Sequence, residues 1–236
     1  MTLMSRFRAV FARPRVVLPI IHVASREQAL RNAAVAQAGG ADGVFLISHG
    51  AVVDEELLRI YAAVRESMPG LWAGVNCLSW APEPLFARLP PGTQGVWTDN
   101  ALIDESSDEQ PAAAAVRQSQ ERHGWQGLYF GGVAFKYQRH VRDLAAAARR
   151  AVPWMDVVTT SGPGTGQAAP PAKVRAMKEA IGDAPLALAS GVTPENVNDY
   201  LPWVDAFLVS TGISYDFEEL DPARLADLVR VVRDWR

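Results

Sequence analysis

Short apolar runs recur along the chain, each closed by small or polar residues and followed by a segment of helical spacing. The first run is 16–23, VVLPIIHV. After it Ser25 is placed to cap a helix over 26–38, which Gly39-Gly40 end. The same pattern predicts further strands at 43–48, 71–76, 95–98, 127–135, 156–160, 185–189 and 206–210. Helices are expected at 54–67, 82–89, 111–122, 138–151, 171–181, 194–201 and 222–235, with a long acidic loop at 99–110. Strict alternation of strand and helix demands parallel strands with right-handed crossovers. An open doubly wound sheet also satisfies it. Eight such units in 236 residues, with no Pro/Gly/Ser linker between them, favour a single-domain (β/α)8 TIM barrel.

The stretch 155–214 carries the densest signal. Its three apolar runs end in TTSGPGTG, ASGVTPEN and VSTGIS. Glycine admits close approach of backbone N–H groups to a ligand, and a following helix start adds partial positive charge. Loops after the last two strands of a barrel commonly hold phosphate. The candidate phosphate-binding residues are therefore Ser190, Gly191, Val192, Ser210, Thr211 and Gly212. Ser161, Gly162, Thr165 and Gly166 form a loop that orders over the ligand, or else a plain flexible connector. The glycine spacing is neither that of a P-loop nor that of a dinucleotide fingerprint. Thr193 can cap the segment that begins at Pro194.

Read around the strand ends, the chain places His22, Ser48, His49, Asn76, Asp99, Asn100, Lys136, Thr160 and Ser161 on the active face. The candidate catalytic residues are Asp99, Lys136, His22 and Asn76. Lys136 is one of three lysines; the other two, Lys173 and Lys178, are expected on the solvent face of their helix. An ammonium at a strand end can hold phosphate, act as a base or Schiff-base amine, or simply pair with an acid such as Asp99. Asp99 can be a general acid or base, a metal ligand, a sugar-hydroxyl acceptor or a turn cap. Asn76 can contact substrate or fix its loop. His22 and His49 can be acid/base groups, ligands or satisfied side chains. Cys77 reads as packing, and His123 and His140 as solvent-facing.

Composition narrows the partners. A net charge of −3 and a pI near 5.8 argue against a general nucleic-acid binder. The single cysteine excludes an intramolecular disulfide and a cysteine-based zinc site. No cofactor is expected, and no HExxH or His-x-His pair supports a metal. No run approaches the roughly 18 apolar residues of a membrane span. One free cysteine suits a reducing cytoplasm. Residues 1–14 are basic and form an N-terminal extension or short helix under the barrel, with a targeting or membrane-surface segment as the alternative. A homo-oligomer is open.

TSGPGTG, ASGVTPENV and FLVSTGIS, with GVNCL at 74–78, TDNALI at 98–103 and Lys136 after VAF, resemble the BtpA family of β/α barrels. The similarity runs from about Arg15 to Ile213. It implies a ribulose-phosphate-type barrel with a phosphate site at strands seven and eight. The family name comes from photosystem I biogenesis, a role that does not transfer to members outside photosynthetic organisms. HVASREQ after strand one and SHGA after strand two depart from the family pattern on the substrate side. Expected ligands are phosphorylated sugars or nucleotide-type small molecules. Isomerisation, aldol-type cleavage and glycosidic-bond chemistry all stay open, with a non-catalytic ligand-binding or assembly factor as the alternative.

Overall fold

The structure, a computed structural model, describes residues 3–235. Eight parallel strands close into one barrel in chain order: β1 (Val16–Val23), β2 (Gly43–Ser48), β3 (Trp72–Asn76), β4 (Gly95–Thr98), β5 (Leu128–Gly132), β6 (Val157–Ser161), β7 (Leu186–Ala189) and β8 (Ala206–Val209). Helix α1 (Leu3–Val10) precedes them. The crossovers carry α2 (Arg26–Ala38), α3 (Asp54–Ser67), α4 (Pro82–Leu85), α5 (Pro111–Arg122), α6 (Leu144–Ala151) and α7 (Pro171–Ile181), and α8 (Pro222–Asp234) follows β8.

Three expected helices are shorter than their sequence pattern. The segment 138–142 stays irregular because its side chains bind elsewhere: the Gln138 amide donates to the Asp99 carbonyl and Arg139 pairs with Glu105. Helix α6 then starts on Asp143, whose carboxylate caps Ala146 N at 2.8 Å. In place of a helix over 194–201 there is one 3-10 turn, Val197–Asp199. Asn196 is the reason: its side-chain oxygen accepts from Thr193 N and its amide donates to Gly191 O, both at 2.8 Å, which holds the backbone in a turn. The 82–89 segment stops at Leu85, ahead of Pro90-Pro91.

Alternate residues of each strand face inward and outward. Val16, Leu18, Ile20, Phe45, Ile47, Trp72, Trp97, Phe130 and Leu208 build the inner cluster, while Val17, Ile21, Leu46, Val75, Val158 and Leu188 pack under the helices. Large rings fit inside because small residues face them. The Phe45 ring lies 2.3 Å from where a Cβ on Gly74 would stand, so any larger residue at Gly74 displaces it. Phe45 meets Trp72 and Phe130 edge to face, with centroids 5.3 and 5.1 Å away.

The N-terminal end of the barrel is plugged by α1. Phe7 and Phe11 belong to the inner cluster, and the Phe11 ring meets Trp72 at 5.1 Å. Around this plug a side chain just before each even-numbered strand accepts the N–H of the preceding strand: Asp42 from Val17, Gln94 from Ala73, Asp156 from Tyr129 and Asp205 from Leu186. The basic character of the N-terminus is used here, since Arg6 pairs with Asp156 at 2.6 Å and Arg8 with Asp205 at 2.9 Å. Phe7 is fully buried. Phe7→Ala is expected to lose about 3–5 kcal/mol through the cavity it leaves, read as a lower midpoint in chemical denaturation with no change in ligand affinity at the far end.

Candidate functional site

At the C-terminal end the inner cluster turns polar. A cavity of about 40 Å³ sits there, floored by Ile20, Ile47 and Trp97 and walled by His22, Asp99, Lys136, Thr165, Gly166, Ser190, Ser210 and Thr211. A larger cleft of about 610 Å³ opens near the N-terminal ends of β3 to β5, but His123 is the one titratable side chain on its wall. Convergent charged and polar groups, which a reacting ligand needs, are found at the smaller cavity.

Lys136 stands at the junction of three loops. Its Nζ donates to Thr165 Oγ1 and Ser190 Oγ, each at 3.2 Å, and its backbone N–H donates to Ser161 Oγ at 2.8 Å. Among the described residues no carboxylate forms an ion pair with it, whereas Lys178 pairs with Asp205 at 2.9 Å. The backbone around Lys136 is strained. Among the described residues, the non-glycine positions with positive φ are Leu102, Ala134, Tyr137 and Ser190, with φ of 61°, 49°, 61° and 70°. Two flank Lys136, one carries its hydroxyl partner, and the fourth follows Asp99. Such conformations cost free energy, persist where surrounding contacts enforce them, and cluster at functional sites.

The other two lysines are not on the solvent face as expected. Lys178 is largely buried in its ion pair. Lys173 Nζ donates to Ala134 O at 2.6 Å and Ser161 O at 2.7 Å, and burial pushes its ammonium down to about 8. It thus ties the strained Ala134 turn to the end of β6, directly behind Lys136. Helical spacing alone cannot show that a long side chain reaches back under its own strand.

Asp99 lies first after β4 and accepts from Asn76 Nδ2 at 3.0 Å. Burial raises its pKa, against the opposing pull of the Asn76 hydrogen bond and the Lys136 charge. Asn76 is buried and acts on the cavity through Asp99. His22, near the end of β1, has Nδ1 3.2 Å from Ser210 Oγ. Burial, with His49 and Lys136 nearby, pushes its imidazole down to about 4. A neutral imidazole and a carboxyl with a raised pKa therefore face the same space. Cys77 is buried and its thiol is pushed up by burial, which fits packing. Trp97, at the floor, buries its indole N–H without a partner.

The phosphate candidates divide by position. Thr165, Gly166, Ser190, Ser210 and Thr211 line the cavity. Ser161, Gly162, Gly191, Val192 and Gly212 join the loops to one another behind it. A Cβ on Gly191 would stand 2.3 Å from the Gln167 carbonyl carbon, and one on Gly212 would stand 2.0 Å from Val192 O. The bare glycines let three loops pack backbone to backbone, while the Val192 side chain joins the outer core. The loop after β6 is latched across the mouth: Tyr137 Oη accepts from Thr165 N at 3.1 Å and lies 3.3 Å from Thr165 Oγ1.

Sequence reasoning misses Phe217. The turn after β8 brings its ring to 3.9 Å from His22 and 4.8 Å from His49, centroid to centroid. Two buried amides on α2 hold this turn. Gln28 Nε2 and Asn32 Nδ2 donate to Glu218 O at 2.6 and 2.7 Å, and Leu220 N donates to Asn32 Oδ1 at 3.0 Å. Their signal was present: two amides at i,i+4 spacing interrupt the alanine face of α2.

Comparison with solved structures places this chain among TIM barrels by fold. The (S)-3-O-geranylgeranylglyceryl phosphate synthase from Thermoplasma acidophilum, in complex with its substrate sn-glycerol-1-phosphate, superposes with a TM-score of 0.70 at 14% identity, over 100% of both chains. Tryptophan synthase subunit alpha from Legionella pneumophila str. Paris gives a TM-score of 0.69 at 13% identity, again over 100% of both. Phosphoribosyl anthranilate isomerase from Thermus thermophilus gives 0.64 at 20%, over 94% of this chain and 100% of that one. These identities show the TIM-barrel fold and nothing finer. No protein-family model matches the chain, and no curated protein matches its sequence. Among the described residues no group of three or more His, Cys, Asp or Glu is placed to hold a metal ion, and no helix is long and apolar enough to cross a membrane.

The His22 environment gives a pH signature. Its folded pKa, about 4, lies below the usual 6.5 of histidine. Between those values the unfolded chain binds the extra proton, so folding stability falls as pH drops from 6.5 towards 4, by up to about 3 kcal/mol. Above pH 6.5 the imidazole is neutral in both states and contributes no slope. His22→Asn is expected to flatten the stability–pH curve in that window alone, as measured by urea denaturation at stepped pH.

Proposed function

We propose that the barrel binds a phosphorylated sugar-type or nucleotide-type metabolite, its phosphate held by Lys136, Ser190 and Thr211, and acts on it by proton transfer as an isomerase or lyase. The observation that carries this reading is one cavity shared by Lys136, which has hydroxyl partners and no carboxylate, with Asp99 and His22. A phosphate oxygen can replace the two hydroxyls as the acceptor of the ammonium. Asp99, its pKa raised by burial, is placed to give or take a proton. His22, its imidazole neutral, can accept one.

Support also comes from outside the site. The segments SGVTPENV and TSGPGTG carry the resemblance to the BtpA family, and the synthase from Thermoplasma acidophilum binds sn-glycerol-1-phosphate on this fold. The small cavity supports one competing reading, a ligand-binding barrel without turnover.

Thermal-shift titration with a panel of phosphosugars and nucleoside monophosphates tests the binding half, since a ligand of the native state raises stability. At least one phosphorylated compound is expected to raise the melting temperature, and Lys136→Met to abolish that shift. A shift that survives in Lys136→Met rejects the proposed phosphate position. Asp99→Asn separates the two readings: it is expected to bind the compound and fail to turn it over, whereas a wild-type protein that binds without changing the compound favours the non-catalytic one.

A further inference from the structure

One side of the mouth is built from rings. His22 and His49 meet at 5.8 Å between centroids, and Phe217 contacts both. Phe217 is 38% exposed in spite of those contacts. The same turn exposes Tyr215 at 70%. This is not a loose surface loop. Backbone pairing of Ser214 with Leu220, the hydrogen bond from Tyr215 N to Glu219 O at 2.9 Å, and the two α2 amides fix the turn in place. A buried Gln and a buried Asn, placed on the α2 face that meets the barrel to hold one turn, make that turn a structured part of the mouth. Apolar packing would hold it without placing polar groups in the core.

We infer that Phe217 is a specificity-determining residue, and that the substrate is a phosphate ester carrying a planar ring, which lies on Phe217 and His49 while the phosphate reaches Lys136. The inference rests on the phosphate reading above and names its substrate class. Three features favour a flat ring over an alkyl chain or a bare sugar. Tilted and edge-on aromatic rings in mutual contact offer a π surface. Rings are recognised by such surfaces whatever their edge pattern. The cavity floor is apolar, with Ile20, Ile47 and Trp97 beneath the histidine. A sugar would leave these faces unused and would ask instead for hydroxyl acceptors, of which Asp99 is the one carboxylate on the cavity wall.

The test measures affinities by calorimetry for AMP, UMP and phenyl phosphate against ribose 5-phosphate and glycerol 3-phosphate. At least one ring-bearing phosphate is expected to bind about tenfold or more tightly than either ringless one, the gain a single aromatic stack supplies. Phe217→Ala is expected to remove that preference and leave ringless phosphates unchanged. Phe217→Leu, which keeps apolar bulk and loses the π face, is expected to behave nearly as Phe217→Ala. Circular dichroism melts confirm that the exposed position leaves the fold intact. Equal binding of ring-bearing and ringless phosphates, or a preference that survives in both variants, overturns the inference while leaving the phosphate site standing. Absence of binding by every phosphate overturns both, and adenosine binding alone would then show a ring pocket with no phosphate grip.

Discussion

An ammonium without a carboxylate partner, held at the open end of an apolar barrel, is the constraint around which the C-terminal face is arranged. Lys136 cannot satisfy its charge in the core, and no acid among the described residues closes on it. It is held by hydroxyls from two other loops, and the chain accepts unfavourable backbone at Ala134, Tyr137 and Ser190 to bring these groups together. Lys173 fastens the same turn from behind through the carbonyls of Ala134 and Ser161. The glycines at 191 and 212 let the loops after β6, β7 and β8 close up to the point where their hydroxyls meet the lysine. Positive potential in a small, partly apolar space favours an anion.

The two ends of the barrel divide the work of stability and chemistry. At the N-terminal end Asp42, Asp156 and Asp205 are paired to arginine or lysine and cap strand N–H groups. At the C-terminal cavity Lys136, Asp99 and His22 form no ion pair, His22 and Asp99 have shifted pKa values, and the strained residues collect. Paired acids at one end tie the helices to the barrel; unpaired groups at the other remain available to a ligand. Both arrangements follow from one topology, because parallel strands send every crossover back to the same end.

The barrel was legible because buried parallel strands write continuous apolar runs, and those at β1, β2 and β4 match their sequence pattern end to end. His22, Asp99, Lys136, Ser190, Ser210 and Thr211 could be found by reading strand ends, since topology alone brings such residues to one face. What could not be read were contacts made by reach. Lys173 has the spacing of a surface residue and folds back beneath its strand. Phe217 lies well past the end of β8 in an acidic turn, which the α2 amides help to hold over His22. The segment 138–142 has helical composition, yet Gln138 and Arg139 are engaged by groups distant in sequence.

A crystal structure of the protein soaked with a ring-bearing phosphate ester addresses the central claim most directly. The account predicts the phosphate within hydrogen-bond distance of Lys136 Nζ, with Thr165 or Ser190 released from the lysine to admit it. A phosphate bound elsewhere, with Lys136 still bridging Thr165 and Ser190, would contradict it.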